Sequence, residues 1–313
     1  MRHLTRIIAS AGLVSALAAS ASAKIEREVE KTFQVQPGVH LRLSTFGGDI
    51  RVSSSSDPVV KVVAKEHIRA DSEAEADDIL KRLDLSIEQS GNDVVATAAY
   101  GNNVGWHFGS WPPVQVEFVV TVPAGASAEM KTSGGDIVVG DVSGAVHART
   151  SGGNIKLGTI GGDIDAETSG GNVSLDEGRG DTRLSTSGGN VSADRIIGPA
   201  SVETSGGDIK IDSVMNTLSA RTSGGDVKAG FDGPLKGDCV LSTSGGEVKA
   251  SVGKDVGFHL DASTSGGEVD AAGVTITIDH GGIGRSSLSG QVNGGGPVLK
   301  LRSSGGDIKV ITR

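Results

Sequence analysis

Nine side chains of one chemical kind recur at a fixed place in this sequence. Asp136, Asn154, Asn172, Asn190, Asp208, Asp226, Glu247, Glu268 and Asp307 each follow a glycine pair in the pattern Thr/Ser-Ser-Gly-Gly-Asp/Asn/Glu-Ile/Val. A row of carboxylates is raw material for a calcium site, which takes roughly six to eight oxygens. The calcium-binding nonapeptide roll, however, places its Asp two residues after a third glycine. Here the acid follows the pair directly. Three successive positions are Asn, which relieves repulsion and permits amide ladders. Asp and Asn beside glycine are also what a tight turn needs. The expectation is a structural corner, with no metal and no cofactor.

Other chemistries are weighed in the same way. There is no phosphate-cradling Gly-x-x-x-x-Gly-Lys-Ser/Thr, and no Gly-x-Gly-x-x-Gly leading from a strand into a helix. There is no Gly-x-Ser-x-Gly nucleophile elbow. Glu167, Arg183, Glu203 and Arg221 fall on outward positions of neighbouring repeats, so a polysaccharide-cleaving groove is conceivable. Ordinary charge pairing across a solvated face explains the same residues, and no catalytic residue is assigned. Cys239, the single cysteine, takes an inward apolar position and reads as a core residue.

One segment stands apart from the repeats. "AYGNNVGWHFGSWPP", Ala99 to Pro113, holds both tryptophans and the only tyrosine. Tyr100, Trp106, His107, Phe108 and Trp111 are the candidate binding residues. Flat rings beside amides can meet a glycan or a protein partner. The competing reading is a loop that folds its rings over the end of the fold.

The motif threonines and serine fall at 132, 150, 168, 186, 204, 222, 243, 264 and 303. Five intervals are therefore 18 residues, two are 21, and the last is 39. The 39 reads as 18 plus 21, with a degenerate repeat between, holding Val274 to Ile278 and the stretch from His280 to Gly296. Each 18 splits into two nines, most clearly at Thr159-Ile160-Gly161-Gly162-Asp163-Ile164. Eighteen residues would also be five helical turns. A glycine pair in each repeat, at about 2 kcal/mol of lost helix propensity, argues against that. Alternation decides it. Residues four and two before each motif threonine are small and mostly apolar, as in Val146 and Ala148, with polar residues such as His147 between. That is the period of a strand.

Short strands joined by tight turns pair with the same strand one repeat along. The predicted fold is all-β, a single-stranded parallel β-solenoid, right-handed by the crossover rule, with coils of 18–21 residues. The glycines supply the corners, both by reaching φ > 0 and by letting stacked corners approach closely. The first coil is expected early, at Thr45-Phe46-Gly47-Gly48-Asp49-Ile50, led in by Val39, Leu41 and Leu43. A helix over about Ser72 to Leu83 is expected to cover that coil. It opens on a capping box of Ser72 and Glu75 and has Ala76, Ile79, Leu80 and Leu83 on one face. Strands follow at Leu85–Gln89, Val94–Ala98 and Val114–Val122.

Residues 1–23 read as a signal peptide, with Arg2 and Arg6, an apolar run from Ile7 to Ala18, and Ala21-Ser22-Ala23 as the cleavage site. The organisation is then a leader over 1–23, an N-terminal β-rich capping region with one helix over 24–130, and solenoid repeats over 131–313. Removing Arg2 and Arg6 from 29 basic residues leaves 27 against 38 acidic, a net charge of −11. That disfavours nucleic acid and anionic membrane surfaces as partners. No transmembrane segment is expected after the leader.

With these residues in view, the chain resembles the bacterial putative-adhesin family, an exported domain of unknown function built of β-strand repeats. The likeness is carried by "FQVQPGVHLRLSTFGGDIRV", "VEFVVTVPAGASAEMKTSGGDIVV" and "QVNGGGPVLKLRSSGGDIKV". It implies a single-stranded β-helix and an extracytoplasmic location, periplasmic or at the cell surface. It supplies no catalytic residues. The expectation is a non-enzymatic binding or envelope scaffold protein whose partner is a cell-surface glycan or an envelope protein. The alternatives are a polysaccharide-active β-helix enzyme and a structural or stress-related envelope protein without its own ligand.

Overall fold

The computed structural model describes residues 24–101, 112–278 and 284–313. The chain is a β-solenoid. Each repeat contributes one strand to each of two long sheets, and the motif corner turns the chain from one sheet to the other. Among the described residues the entering sheet has 14 strands and the leaving sheet 13.

Stacking is parallel and in register through the middle of the molecule. Val146, Ile164, Thr182, Ala200 and Leu218 are successive partners in the entering sheet. Ile155, Val173, Val191, Ile209, Val227 and Val248 are successive partners in the leaving sheet. A step of one coil preserves which side chains face inward, so the alternation read from sequence becomes a continuous apolar core. Leu157, Ala166, Leu184, Val202 and Ala220 are fully buried, as is Cys239. The core is thin because its residues are small. Each Val, Leu or Ile fully buried there is worth about 1.5–3 kcal/mol.

The coils do not stack in sequence order at either end. The early coil, His40–Thr45 and Ile50–Ser55, lies between Asp93–Tyr100 with Val114–Pro123 on one side and Ser127–Lys131 with Ile137–Val139 on the other. At the far end the last coil, Val298–Ser303 and Ile308–Thr312, is inserted between the Thr243 coil and the Thr264 coil. The expected degenerate repeat between Thr264 and Ser303 is therefore not a coil. Of its described parts, Ser287–Val292 lies antiparallel along the outer side of Phe258–Thr264, and Ile276–Ile278 pairs antiparallel with Ser287–Val292 beyond it. The 39-residue interval is a detour that brings the chain back to the inner side of that strand.

Antiparallel strands also close the N-terminal end. Lys24–Gln34 pairs with Val59–Arg69, and Leu83–Ser90 with Asp93–Tyr100. The edge strand Lys24–Gln34 carries Glu26, Arg27, Glu28, Glu30 and Lys31, charges that discourage further strand pairing. The helix spans Glu73–Leu80 with Ser72 as its N-cap, whose Oγ accepts from the Glu75 nitrogen at 3.2 Å. The Glu75 carboxylate reaches the Asp71 nitrogen rather than Ser72. Ala76 and Ile79 are its buried face. It packs on the strand Val59–Arg69, not over the early coil, and Arg27 ties it to the edge strand through Glu73 and Asp77. No described helix is long and apolar enough to cross a membrane.

Candidate functional site

The repeated polar residues come first, because their geometry decides whether the motif is a site. Each motif threonine is buried, and, except at Thr222, its hydroxyl is shown doing two things. Thr168 Oγ1 donates to the Gly153 carbonyl of the preceding coil at 2.8 Å and accepts from the Gly171 nitrogen of its own corner at 3.4 Å. Thr150, Thr186, Thr204 and Thr243 repeat the arrangement. Ser303 does the same with Gly246 and Gly306.

The second glycine of each pair is needed for closeness alone. A Cβ on Gly171 would lie 2.0 Å from the Gly153 carbonyl oxygen, whereas one on Gly170 would meet Gly152 at an ordinary 3.6 Å. No motif glycine has positive φ. Of the two reasons expected for glycine here, the left-handed turn is corrected and close approach remains.

The Asp/Asn row is engaged in the same internal way. Asp136 Oδ1 accepts from the Asn154 nitrogen, Asn154 Oδ1 from Asn172, Asn172 Oδ1 from Asn190, and Asn190 Oδ1 from Asp208. Asp208 and Asp226 continue the row to the Glu247 nitrogen. The hydrogen bond from the Glu247 amide, then that from Lys228, holds the Asp226 carboxyl below its usual range. The row is a hydrogen-bonded spine running along the stack. Among the described residues no group of three or more His, Cys, Asp or Glu side chains is arranged to hold a metal ion.

The outward face of the entering sheet is charged and largely self-compensated. A recess of about 240 Å³ is lined by Glu129, Met130, Lys131, His147, Arg149 and Asp165. Lys131 pairs with Glu129 at 2.7 Å, and Arg149 with Asp165 at 2.8 Å and Glu167 at 3.3 Å. Lys131 holds the Glu129 carboxyl below its ordinary value. The expected cross-coil pairing thus falls on Arg149. Arg183, Glu203 and Arg221 make no ion pair among the described residues, and nothing gathers them into a groove.

Of the aromatic candidates, Trp106, His107, Phe108 and Trp111 lie outside the described residues. Tyr100 is described. It ends the strand Asp93–Tyr100 and is partly buried against the core. The Arg82 guanidinium stands 5.4 Å from its ring centroid. Its hydroxyl is buried without a hydrogen-bond partner among the described residues. Both flanks of the segment are fixed: the Gly101 nitrogen donates to Arg82 O at 3.0 Å, and the Arg69 nitrogen to Pro113 O at 2.8 Å. The strands that flank it, Asp93–Tyr100 and Val114–Pro123, lie next in the stack to the early coil, whose corner is Phe46-Gly47-Gly48. There Thr45 Oγ1 donates to Val116 O, the carbonyl that replaces a corner glycine's. Phe46 is 43% exposed, at the motif position that is serine in the later coils. Sequence reading passed over Phe46 and Arg82, although the Ser-to-Phe change at position 46 is visible in the aligned repeats.

Residues 180–311 match the Toastrack family of unknown function, DUF4097. The Toastrack match runs from the Thr186 coil through the inserted Ser303 coil, and it bears out the resemblance to a putative-adhesin family. Among solved structures, a putative adhesin from Parabacteroides merdae shares 11% identity over 91% of this chain and 96% of that one, with a TM-score of 0.47. A putative adhesin from Bacteroides fragilis shares 13% over 91% and 97%, with a TM-score of 0.37. A protein from Parabacteroides distasonis described as a putative lipid binding protein shares 13% over 91% and 96%, with a TM-score of 0.38. No curated protein matches the chain.

Proposed function

We propose that the protein is a non-enzymatic, adhesin-like binding scaffold of the cell envelope that meets a glycan through its aromatic segment, Ala99 to Pro113. The observation that carries this reading is the internal use of the repeat. Thr hydroxyls, glycine carbonyls and Asp/Asn oxygens bond to neighbouring coils, so the motif is committed to stacking. The residues left over for recognition are those that break the repeat. The aromatic ones fall in the segment from Ala99 to Pro113, which holds both tryptophans and the only tyrosine. Sugar rings stack on flat aromatic faces, and Asn102, Asn103 and His107 supply hydrogen-bonding groups in the same segment. An exported location, periplasmic or at the cell surface, fits the leader-like residues 1–23.

The test is tryptophan fluorescence titrated with a panel of envelope glycans. A saturable change that is lost in both Trp106→Ala and Trp111→Ala supports the reading. Blue, buried emission that no glycan alters would mean that the rings serve as a cap. Cleavage of a polysaccharide, lost in Arg183→Ala, would instead favour the enzyme.

A further inference from the structure

The inserted last coil is held by contacts that any copy of the chain can supply. Val298–Ser303 pairs on one side with Cys239–Thr243 and on the other with Phe258–Thr264. Ile308–Thr312 sits likewise between Val248–Val252 and Val269–Asp270. Leu299, Leu301, Ile308 and Val310 are fully buried in this slot. Ser303 Oγ donates to Gly246 O, Thr264 Oγ1 donates to Gly306 O, and Asp307 Oδ1 accepts from the Glu268 nitrogen. All of these are the generic corner contacts of the repeat.

The slot also has a marker in its walls. Glu247 stands where a shorter Asp or Asn would pass the spine to the next coil, and its carboxylate takes Lys309 at 2.6 Å instead. Asp307 of the inserted coil then resumes the spine toward Glu268.

The inserted coil reaches the slot over a single crossing. Asn293, Gly294, Gly295 and Gly296 have φ of 47°, 85°, 84° and 149°. They are four consecutive residues in a region that side chains avoid. Asn293 is the only such non-glycine residue among those described. The crossing presses on Gly257, where a Cβ would lie 2.6 Å from Gly295 O. Asn293 Nδ2 pins it to Lys254 O and Val256 O. In the chain, both walls of the slot precede its occupant. Until the tail arrives, the walls are unpaired edges, open to any matching strand.

We propose that the coil formed by Val298–Ser303 and Ile308–Thr312 is exchangeable, and that the tail of one copy fills the slot of a second copy. The exchange asks residues 293–296 to straighten, which the three glycines among them allow, and a short hinge loop favours it. Reciprocal exchange gives a dimer, and one-way exchange gives a chain of copies.

Cys239 provides the probe, because its partner across the slot is Leu299. Two full-length chains are refolded together in equal amounts and oxidised: the natural chain, and one carrying Cys239→Ser with Leu299→Cys. Neither holds both cysteines, so a disulfide between them needs the tail of the second in the slot of the first. A reducible band at twice the monomer mass is expected. A Cys239→Ser chain with Lys309→Cys, on the other sheet, should give none, and a band there would overturn the proposal. The outward partners Val240 and Lys300 repeat the test as Val240→Cys and Lys300→Cys on separate Cys239→Ser chains. Monomers alone with both pairs, under conditions where a single chain holding Cys239 and Leu299→Cys closes its internal disulfide, would overturn it.

Discussion

Asp136 Oδ1 lies 2.7 Å from the backbone nitrogen of Asn154, the residue that holds the same place one coil later. This relationship turns a row of acids and amides into a spine in which each side chain caps the next coil's amide. Replacing Asn172 by Ala removes the acceptor of the Asn190 nitrogen, now at 2.7 Å. The expected cost is about 1 kcal/mol, that of one hydrogen bond at an exposed corner. Asn172→Asp keeps an oxygen in place and should cost less. Urea melts read the difference. Millimolar calcium should leave the melting temperature of the natural protein unchanged, since the oxygens already serve amides.

The two glycines of one corner should differ sharply. Gly171→Ala places a methyl 2.0 Å from Gly153 O and forces two coils apart. Overpacking against backbone costs about 1–3 kcal/mol or more. Gly170→Ala meets its nearest atoms at 3.6 Å and has no positive φ to strain it. That change should be neutral, or stabilising by about 0.4–1 kcal/mol through the unfolded chain. Equal losses at the two positions in denaturant melts would contradict the close-approach account.

The buried threonine hydroxyl is the third element of the corner. Thr186→Val keeps the volume but strips the partner from Gly171 O and from the Gly189 nitrogen. Two half-buried backbone groups lose a bond, and a loss of about 1 kcal/mol or more is expected. Thr186→Ser keeps the hydroxyl, as Ser303 does in the last coil, and should recover most of it.

Most of this was legible in the repeat. Alternation at Val146, His147 and Ala148 gave the strands and the inward face, and the 18-residue recurrence of one motif gave the parallel stacking, because equivalent residues then meet one coil along. Order along the stack was not legible. Thr264 carries the same motif as Thr243, so nothing local says that Ser303 sits between them; the long-range pairing of Leu299 with Cys239 decides it. The one local trace is Glu247, a residue too long to continue the spine. The early coil hid its place for the same reason, since Asp49 caps Asp136 across 87 residues of sequence. The aromatic segment was visible by composition, but only stacking puts the strands that flank it beside the coil of Phe46.

Glu66 makes the fold pH-dependent in a stated direction. It points inward from the strand Val59–Arg69 and is 6% exposed. Burial pushes its carboxyl above the ordinary value, and Arg27 offsets this only in part. Its cross-strand partner in the register is Arg27, whose guanidinium is held by Glu73 and Asp77. A carboxyl with a raised folded pKa binds its proton more tightly in the native chain than in the unfolded one. Stability tied to Glu66 is therefore fully present below the unfolded glutamate pKa, about 4.3, and is lost as pH rises through the higher folded value. Glu66→Gln keeps the shape and removes the ionisation, so it should melt higher than the natural protein near neutral pH. The gap should close as the pH falls below about 4. Thermal melts of both chains across that range check it, and a gap that widens toward acid would mean that the Glu66 charge stabilises the cap through Arg27.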